Sequence, residues 1–185
     1  ARAFLAARPM RGGHRLIVHD LPQGGKSRSW NRAVHEFSSA EAGFLVFLDS
    51  DVTLAGPDVM AELLDGLVAD PVAAAWSGFP VKDTALKPHK SLLDWFSLRM
   101  SQETRYVDAI CGSLYVIRAE ETRQIWLPDA TPGEDGFLDA MIKTQGFSSP
   151  ADGTRVRQIH TGTHFIEAPG TGSFLSHERR MFVGT

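Results

Sequence analysis

The sequence predicts an α/β fold in which helices flank a mixed, mostly parallel sheet, and three observations carry that expectation. The stretch Gly43 to Leu54, GFLVFLDSDVTL, holds an unbroken apolar run, Leu45 to Leu48, that stops at Asp49, Ser50 and Asp51. Short apolar runs of this kind alternate along the chain with segments whose apolar residues recur at helical spacing. With 185 residues, 43% of them hydrophobic and 22% charged, the chain has the size and balance of one globular domain, residues 1–185, with a sizeable core.

The run at Leu45 is rich in β-branched and aromatic residues and ends abruptly, so it reads as a strand buried on both faces in a largely parallel sheet. Ligands of open α/β sheets sit outside the carboxyl ends of the strands, which is where Asp49 and Asp51 fall. Two carboxylates this close repel each other and need a cation, a proton or open water. A divalent ion carrying phosphates is the most productive of the three. The D-x-D spacing also suits Asp residues that simply begin the following turn.

Taken in order, Ala1 to Met10 reads as the tail of a helix closed by Pro9 and Gly12-Gly13. Arg15 to His19 reads as a strand ending at Asp20. The turn Gly24-Gly25-Lys26 leads into a helix over Ser27 to Phe37, with Trp30, Ala33, Val34 and Phe37 on one face. Backbone N–H groups and the ammonium of that turn suit a phosphate, although the P-loop spacing is absent. Pro57 suits the first position of a helix with an apolar face of Met60, Leu63, Leu64, Leu67 and Val68. Val72 to Phe79 is the next strand and Pro80 to His89 a loop. Ser91 to Met100 is an amphipathic helix with Leu92, Trp95, Phe96 and Met100 in phase, either core or the lining of an acceptor groove. Ile110 to Ile117 is a strand followed by Arg118, in which Gly112 and Ser113 are small enough for a ligand to approach the backbone. Glu134 and Asp135 open a helix to Thr144, with Phe137, Leu138, Met141 and Ile142 inward and Gly146 as its stop. Arg155 to Glu167 alternates as a strand carrying His160 and His164, and Gly172 to Phe182 forms a closing helix.

Lys and Arg total 19 against 22 Asp and Glu, a net charge of -3 that speaks against nucleic acid and general membrane affinity. The single cysteine, Cys111, excludes an internal disulfide and a Cys-rich zinc site. No stretch approaches ~20 consecutive apolar residues, and no charged-then-apolar leader is visible. The chain starts at Ala1 and stops at MFVGT just after a basic amphipathic turn, so it is expected to be a fragment whose missing parts could include membrane anchors.

The order of parts resembles the family 2 type of GT-A glycosyltransferases. Members carry a G-K-x-x-x-x-N helix, matched by Gly25, Lys26 and Asn31, and then an apolar strand ending in D-x-D, matched by Asp49 and Asp51. A small-residue strand ending in Arg follows, matched by Gly112 to Arg118, and then an E-D pair, matched by Glu134-Asp135. The place of a late Q-x-x-R-W is filled by His177, Arg180 and Met181, a departure that argues against processive polymer synthesis. The family's first strand, which forms part of the nucleotide pocket, is expected ahead of a helix ending near Met10 and is not in the sequence. The resemblance covers about residues 14 to 181, and its specificity lies in order and spacing.

What the resemblance implies is a GT-A fold and a metal-dependent inverting transfer of a sugar from a nucleotide-diphosphate donor, a UDP-sugar, to a carbohydrate or lipid-linked acceptor. Asp51 would hold Mn2+ or Mg2+, and Asp49 would face the metal or the ribose. Asp20 would bond the base, and Lys26 and Asn31 would belong to the donor site. Asp135 would be the general base that takes the acceptor's proton, with Glu134 the alternative. Arg180 and His177 would clamp the diphosphate. His160 and His164 are read as hydrogen-bonded structural histidines, with a metal or phosphate contact as the alternative. The implied setting is cytoplasmic, at the cytoplasmic face of a membrane where anchors exist.

Two other readings stand beside it. D-S-D-V-T-L also matches the D-x-D-x-T-L signature of haloacid-dehalogenase-type phosphatases, with Asp49 as nucleophile, Asp51 as acid/base and Mg2+ between them. That family's strand normally comes near the start of the domain, and it gives no reason for Gly25, Lys26 and Asn31 at their spacing. The third reading is a non-catalytic GT-A domain that binds a nucleotide sugar without turnover.

Overall fold

A computed structural model describes residues 17–92, 94–95, 98–99, 108–129, 131 and 133–167. Seven strands lie among the described residues: β1 (Phe44–Leu48), β2 (Thr53–Leu54), β3 (Ala75–Ser77), β4 (Pro80–Lys82), β5 (Leu114–Arg118), β6 (Val156–Gln158) and β7 (His164–Ile166). The helices with described bounds include α1 (Lys26–Arg32), α2 (Val59–Ala69), the single turn α3 (Ala119–Thr122) and α4 (Glu134–Lys143). No helix among the described residues is long and apolar enough to cross a membrane.

The expected α/β class is the one observed, but among the described residues the strands form two mixed sheets in which three of the five pairings are antiparallel, so the sheet is not mostly parallel as expected. The larger sheet has the order β1-β5-β3-β6, with β5 antiparallel to β1 and β3, and β3 parallel to β6. Its centre is β5, which is apolar on both faces. Tyr115 and Ile117 pack with Trp30 of α1 and Leu138 and Ile142 of α4, whereas Leu114 and Val116 pack with Val59, Leu63 and Leu67 of α2. A helix therefore lies on each face of the sheet. The smaller sheet, β2-β7-β4, pairs β7 antiparallel with β2 and parallel with β4.

Several expectations need correction. The run at Leu45 is β1, an edge of the larger sheet among the described residues, and its only strand partner there is antiparallel. Leu45 and Phe47 pack on the core, but Val46 and Leu48 are 44% and 46% exposed, so β1 is covered on one face and the doubly buried strand is β5. Residues 17–20 form no strand, and residues 15–16 lie outside the described set. The helix expected to Phe37 is α-helical only to Arg32 and continues as a π turn, Ala33–Phe37, closed by the Ser38 N–H on the Ala33 carbonyl at 2.8 Å. Val68 is exposed because it falls off the face of α2 that Val59, Leu63 and Leu67 bury. The stretch read as a loop after Pro80 contains β4 and a 3-10 turn, Asp83–Leu86. Leu92 and Trp95 are exposed rather than core, while Phe96 and Met100 lie outside the described residues. The strand expected over Arg155 to Glu167 is two strands in different sheets, separated by residues 159–163. The expected helices over Ala1 to Met10 and Gly172 to Phe182 lie outside the described residues.

The contact between α2 and β3 depends on the absence of a side chain. A Cβ placed on Gly66 would stand 2.5 Å from ring carbons of Trp76, so the indole rests directly on the helix backbone. Gly66→Ala should destabilise the fold by about 1–3 kcal/mol despite alanine's better helix propensity, because the packed indole must move. Urea unfolding tests this, and a midpoint equal to or above that of the parent would place slack between α2 and β3.

Candidate functional site

Three elements and one turn bring their polar ends to a single place. Lys26 is the first residue of α1, Asp49 follows β1, Glu134 and Asp135 open α4, and Gly112 lies in the turn Ile110–Ser113 that leads into β5. The Lys26 ammonium donates to Asp49 Oδ2 at 2.9 Å and to the Gly112 carbonyl at 3.0 Å, and stands 3.2 Å from Glu134 Oε1. The same turn holds Asp49 by its backbone, because the Asp49 N–H donates to the Ser113 carbonyl at 2.9 Å. Asp135 packs its carboxylate over Gly112, where a Cβ would meet Asp135 Oδ2 at 3.0 Å, so glycine is the residue that lets helix and turn approach. Among the described residues Asp135 has no cationic partner, and its Oδ1 accepts only the neighbouring Gly136 N–H at 2.9 Å.

Below these groups the core is aromatic. Trp30 Nε1 donates to the Tyr115 hydroxyl at 2.7 Å, and Phe47 stacks on both rings with centroids 5.6 Å and 4.9 Å away. A cavity of about 10 Å3 is left between Lys26, Tyr115, Glu134 and Asp135, about the room of one water molecule. Burial pushes the Tyr115 phenol far above its ordinary range, so it serves as a fixed hydrogen-bond partner and not as a proton source. Burial acts to lower the Lys26 pKa, but the hydrogen bond and charge of Asp49, joined by Glu134, outweigh it and hold the ammonium above its ordinary value. Lys26 is therefore a permanent cation here, 48% exposed on its side chain, beside carboxylates exposed to 35% and 20%.

A second polar cluster lies behind the turn. Ser113 Oγ is 2.7 Å from His164 Nε2, and His164 Nδ1 is 2.8 Å from Thr163 Oγ1. The Cys111 N–H donates to Ser77 Oγ at 2.6 Å, and burial raises the Cys111 thiol above its ordinary value. His164 is completely buried, and desolvation pulls its pKa down to about 4 against the opposing charge of Asp49. Of these residues the sequence marked His164 as a histidine, Cys111 as the single cysteine and Ser113 only for its small size; Thr163 and Ser77 carry no local pattern that announces them.

The residues singled out from the sequence thus divide. Lys26, Asp49, Gly112, Glu134 and Asp135 converge. Asn31 is buried, and its amide is spent on the backbone of one residue: Oδ1 accepts the Leu127 N–H at 2.9 Å and Nδ2 donates to the Leu127 carbonyl at 2.8 Å. Arg118 lies at the far end of β5, where its guanidinium donates to the carbonyls of Ala73, Leu67 and Asp70. Asp51 and His160 are exposed, and Asp20 is exposed and lies in no strand. His177 and Arg180 lie outside the described residues. Among the described residues no three His, Cys, Asp or Glu side chains stand close enough together to hold a metal ion.

No protein-family model matches the chain, and no curated protein matches it at a significant level.

The buried His164 makes stability depend on pH with a defined sign. Its folded pKa is depressed from 6.5 to about 4, so between those values the unfolded chain binds the extra proton. Stability is then lost as pH falls through that window, by roughly 3 kcal/mol for this group. Unfolding free energies of the parent and His164→Phe, measured from pH 7 to pH 4, should converge by about that amount. Parallel curves would mean that His164 does not titrate differently on unfolding.

Proposed function

We propose that the chain is a GT-A domain of the family 2 type, a metal-dependent inverting glycosyltransferase that moves a sugar from a nucleotide-diphosphate donor, a UDP-sugar, to a carbohydrate or lipid-linked acceptor hydroxyl. The observation that supports this is the meeting of Lys26, Asp49, Gly112, Glu134 and Asp135 at one end of the larger sheet. These residues are far apart in the chain and were singled out together by the resemblance. The phosphatase reading gives no reason for Gly25, Lys26 and Asn31 at their spacing ahead of β1.

The chemistry asked of these groups is simple. The acceptor hydroxyl loses its proton to Asp135 as its oxygen attacks the anomeric carbon. The bond from that carbon to the diphosphate oxygen breaks on the opposite face, so the configuration inverts and the nucleoside diphosphate leaves. Asp135 suits the base because its carboxylate has no ion-pair partner among the described residues, whereas Glu134 is engaged by Lys26. Lys26 offers a fixed positive charge for phosphate oxygens. Asp49 and Asp51 do not make a protein cage for a cation, but they fit the kind of site that one or two carboxylates share with substrate phosphates. Mn2+ or Mg2+ bound there would neutralise charge on the departing diphosphate.

Thermal stability against a panel of nucleoside diphosphates, each with and without Mn2+, tests the donor site. One nucleotide should raise the midpoint only with the metal, by roughly 5–10 °C at a hundredfold excess over Kd, and Asp51→Asn should lose the rise. No shift with any nucleotide, together with hydrolysis of a generic phosphate ester, would favour the phosphatase with Asp49 as nucleophile. In a transfer assay Asp135→Asn should lower kcat by about 10²–10⁴ and leave the nucleotide-induced rise intact. Transfer at the parent rate in that variant would remove Asp135 as the base and turn attention to Glu134.

A further inference from the structure

A buried polar chain crosses between the two sheets, and the chemistry above leaves it unused. His164 begins β7 in the smaller sheet, and Ser113 immediately precedes β5 in the larger one. Thr163 Oγ1, bonded to His164 Nδ1, accepts the Phe79 N–H at 2.8 Å and lies 3.2 Å from the Phe79 carbonyl oxygen. One assignment of protons satisfies every member. With the imidazole proton on Nδ1, His164 donates to Thr163, Thr163 donates to the Phe79 carbonyl, and Ser113 donates to His164 Nε2.

Such a chain is demanding, since buried polar groups destabilise the fold unless all are paired, and apolar side chains could fill the same space. What it adds is a fixed orientation at its outer end. Ser113 is partly exposed, and the two peptide units beside it hold the charged groups of the site. The Ser113 carbonyl takes the Asp49 N–H at 2.9 Å, and the Gly112 carbonyl takes the Lys26 ammonium at 3.0 Å. A rotation of this one turn would disturb both.

A hydroxyl 2.7 Å from an imidazole is also the spacing of an activated nucleophile. The surroundings here argue otherwise. The Leu114 N–H is spent on the Cys111 carbonyl at 3.1 Å and the Asp49 N–H on the Ser113 carbonyl, so neither amide is free to receive an oxyanion. An imidazole whose pKa burial has drawn down to about 4 is besides a weak base.

We propose that His164, acting through Ser113, is a positioning residue for the Lys26–Asp49–Glu134 site: it fixes the turn Ile110–Ser113, whose carbonyl oxygens seat Lys26 and Asp49. The inference deepens the transferase reading and concerns the same site, but its first test does not require that reading to hold.

That test is amide hydrogen exchange by NMR on the parent, His164→Phe, Ser113→Ala, His164→Gln and, as a control for general loosening, Leu67→Ala at the opposite end of the sheet. The Asp49 amide should exchange at least about tenfold faster in His164→Phe and Ser113→Ala, relative to the amides of the β3–β6 ladder. His164→Gln should bring the rate back toward the parent, because its side-chain amide reaches as far as Nε2. Leu67→Ala should lower the melting temperature without this selective change. Should His164→Phe not fold, Ser113→Ala, which removes one hydroxyl from a partly exposed position, decides alone. An unchanged Asp49 rate in the variants that fold, or an equal selective change in Leu67→Ala, would overturn the proposal. The second test is nucleoside diphosphate affinity with Mn2+, which should weaken about fivefold or more in His164→Phe and Ser113→Ala and stay near the parent's in His164→Gln. If the parent binds no nucleotide, the transferase reading fails, and the exchange rates still decide the role of His164.

Discussion

Burial of β5 on both faces, with Tyr115 and Ile117 turned toward α1 and α4 and Leu114 and Val116 toward α2, forbids any change in its register. A slip of one residue would carry each set to the wrong face. With the register fixed, Leu114 lies opposite Leu48 and Ser77 opposite Tyr115. The turn before β5 and the Asp after β1 then arrive at the same level, close enough for the Asp49 N–H to reach the Ser113 carbonyl. The first turn of α4 is brought to that level by Leu138 and Ile142, which anchor the helix in the core that Tyr115 and Ile117 share. The position of the charged groups is in this sense a consequence of apolar packing.

Much of the fold was legible in the sequence because element type depends on local periodicity, but the place of each element in the sheet depends on distant partners. Leu45 to Leu48 and Leu114 to Ile117 are equally continuous apolar runs, and nothing within either marks one as an edge and the other as the centre. That difference is set by what packs on each face, and α2 covers Leu114 and Val116 but leaves Val46 and Leu48 exposed. The alternation over Arg155 to Glu167 likewise hides a change of sheet, since β6 and β7 each keep the pattern of a strand while pairing with different partners.

The candidate site divides on the same principle. Lys26, Asp49, Glu134 and Asp135 were legible because charged residues at the ends of apolar elements have few structural duties. Their convergence follows from topology that alternation of elements suggests. The chain through Ser113, His164 and Thr163 was not legible, because the two ends of the Ser113–His164 contact are 51 residues apart, one in the turn before β5 and the other at the start of β7. Asn31 carried the opposite lesson. Its place in a motif pointed to the donor, whereas both ends of its amide are engaged by the backbone of Leu127, 96 residues away.

The electrostatics of the cluster bear on how a donor would enter it. An ammonium has three hydrogens to donate, and Lys26 already faces three acceptors, on Asp49, Gly112 and Glu134, at 2.9, 3.0 and 3.2 Å. A phosphate that recruits Lys26 must therefore take a hydrogen from one of them, and drawing it from Asp49 uncovers a carboxylate beside the arriving anion. That uncovered charge opposes the anion alone and favours a cation that comes with it. Under the transferase reading, nucleotide and divalent ion would each bind better in the presence of the other, and by linkage the enhancement is the same in both directions. Under the same reading the turn before β5 would enter this coupling through the Gly112 carbonyl, which accepts one of the three hydrogens of Lys26.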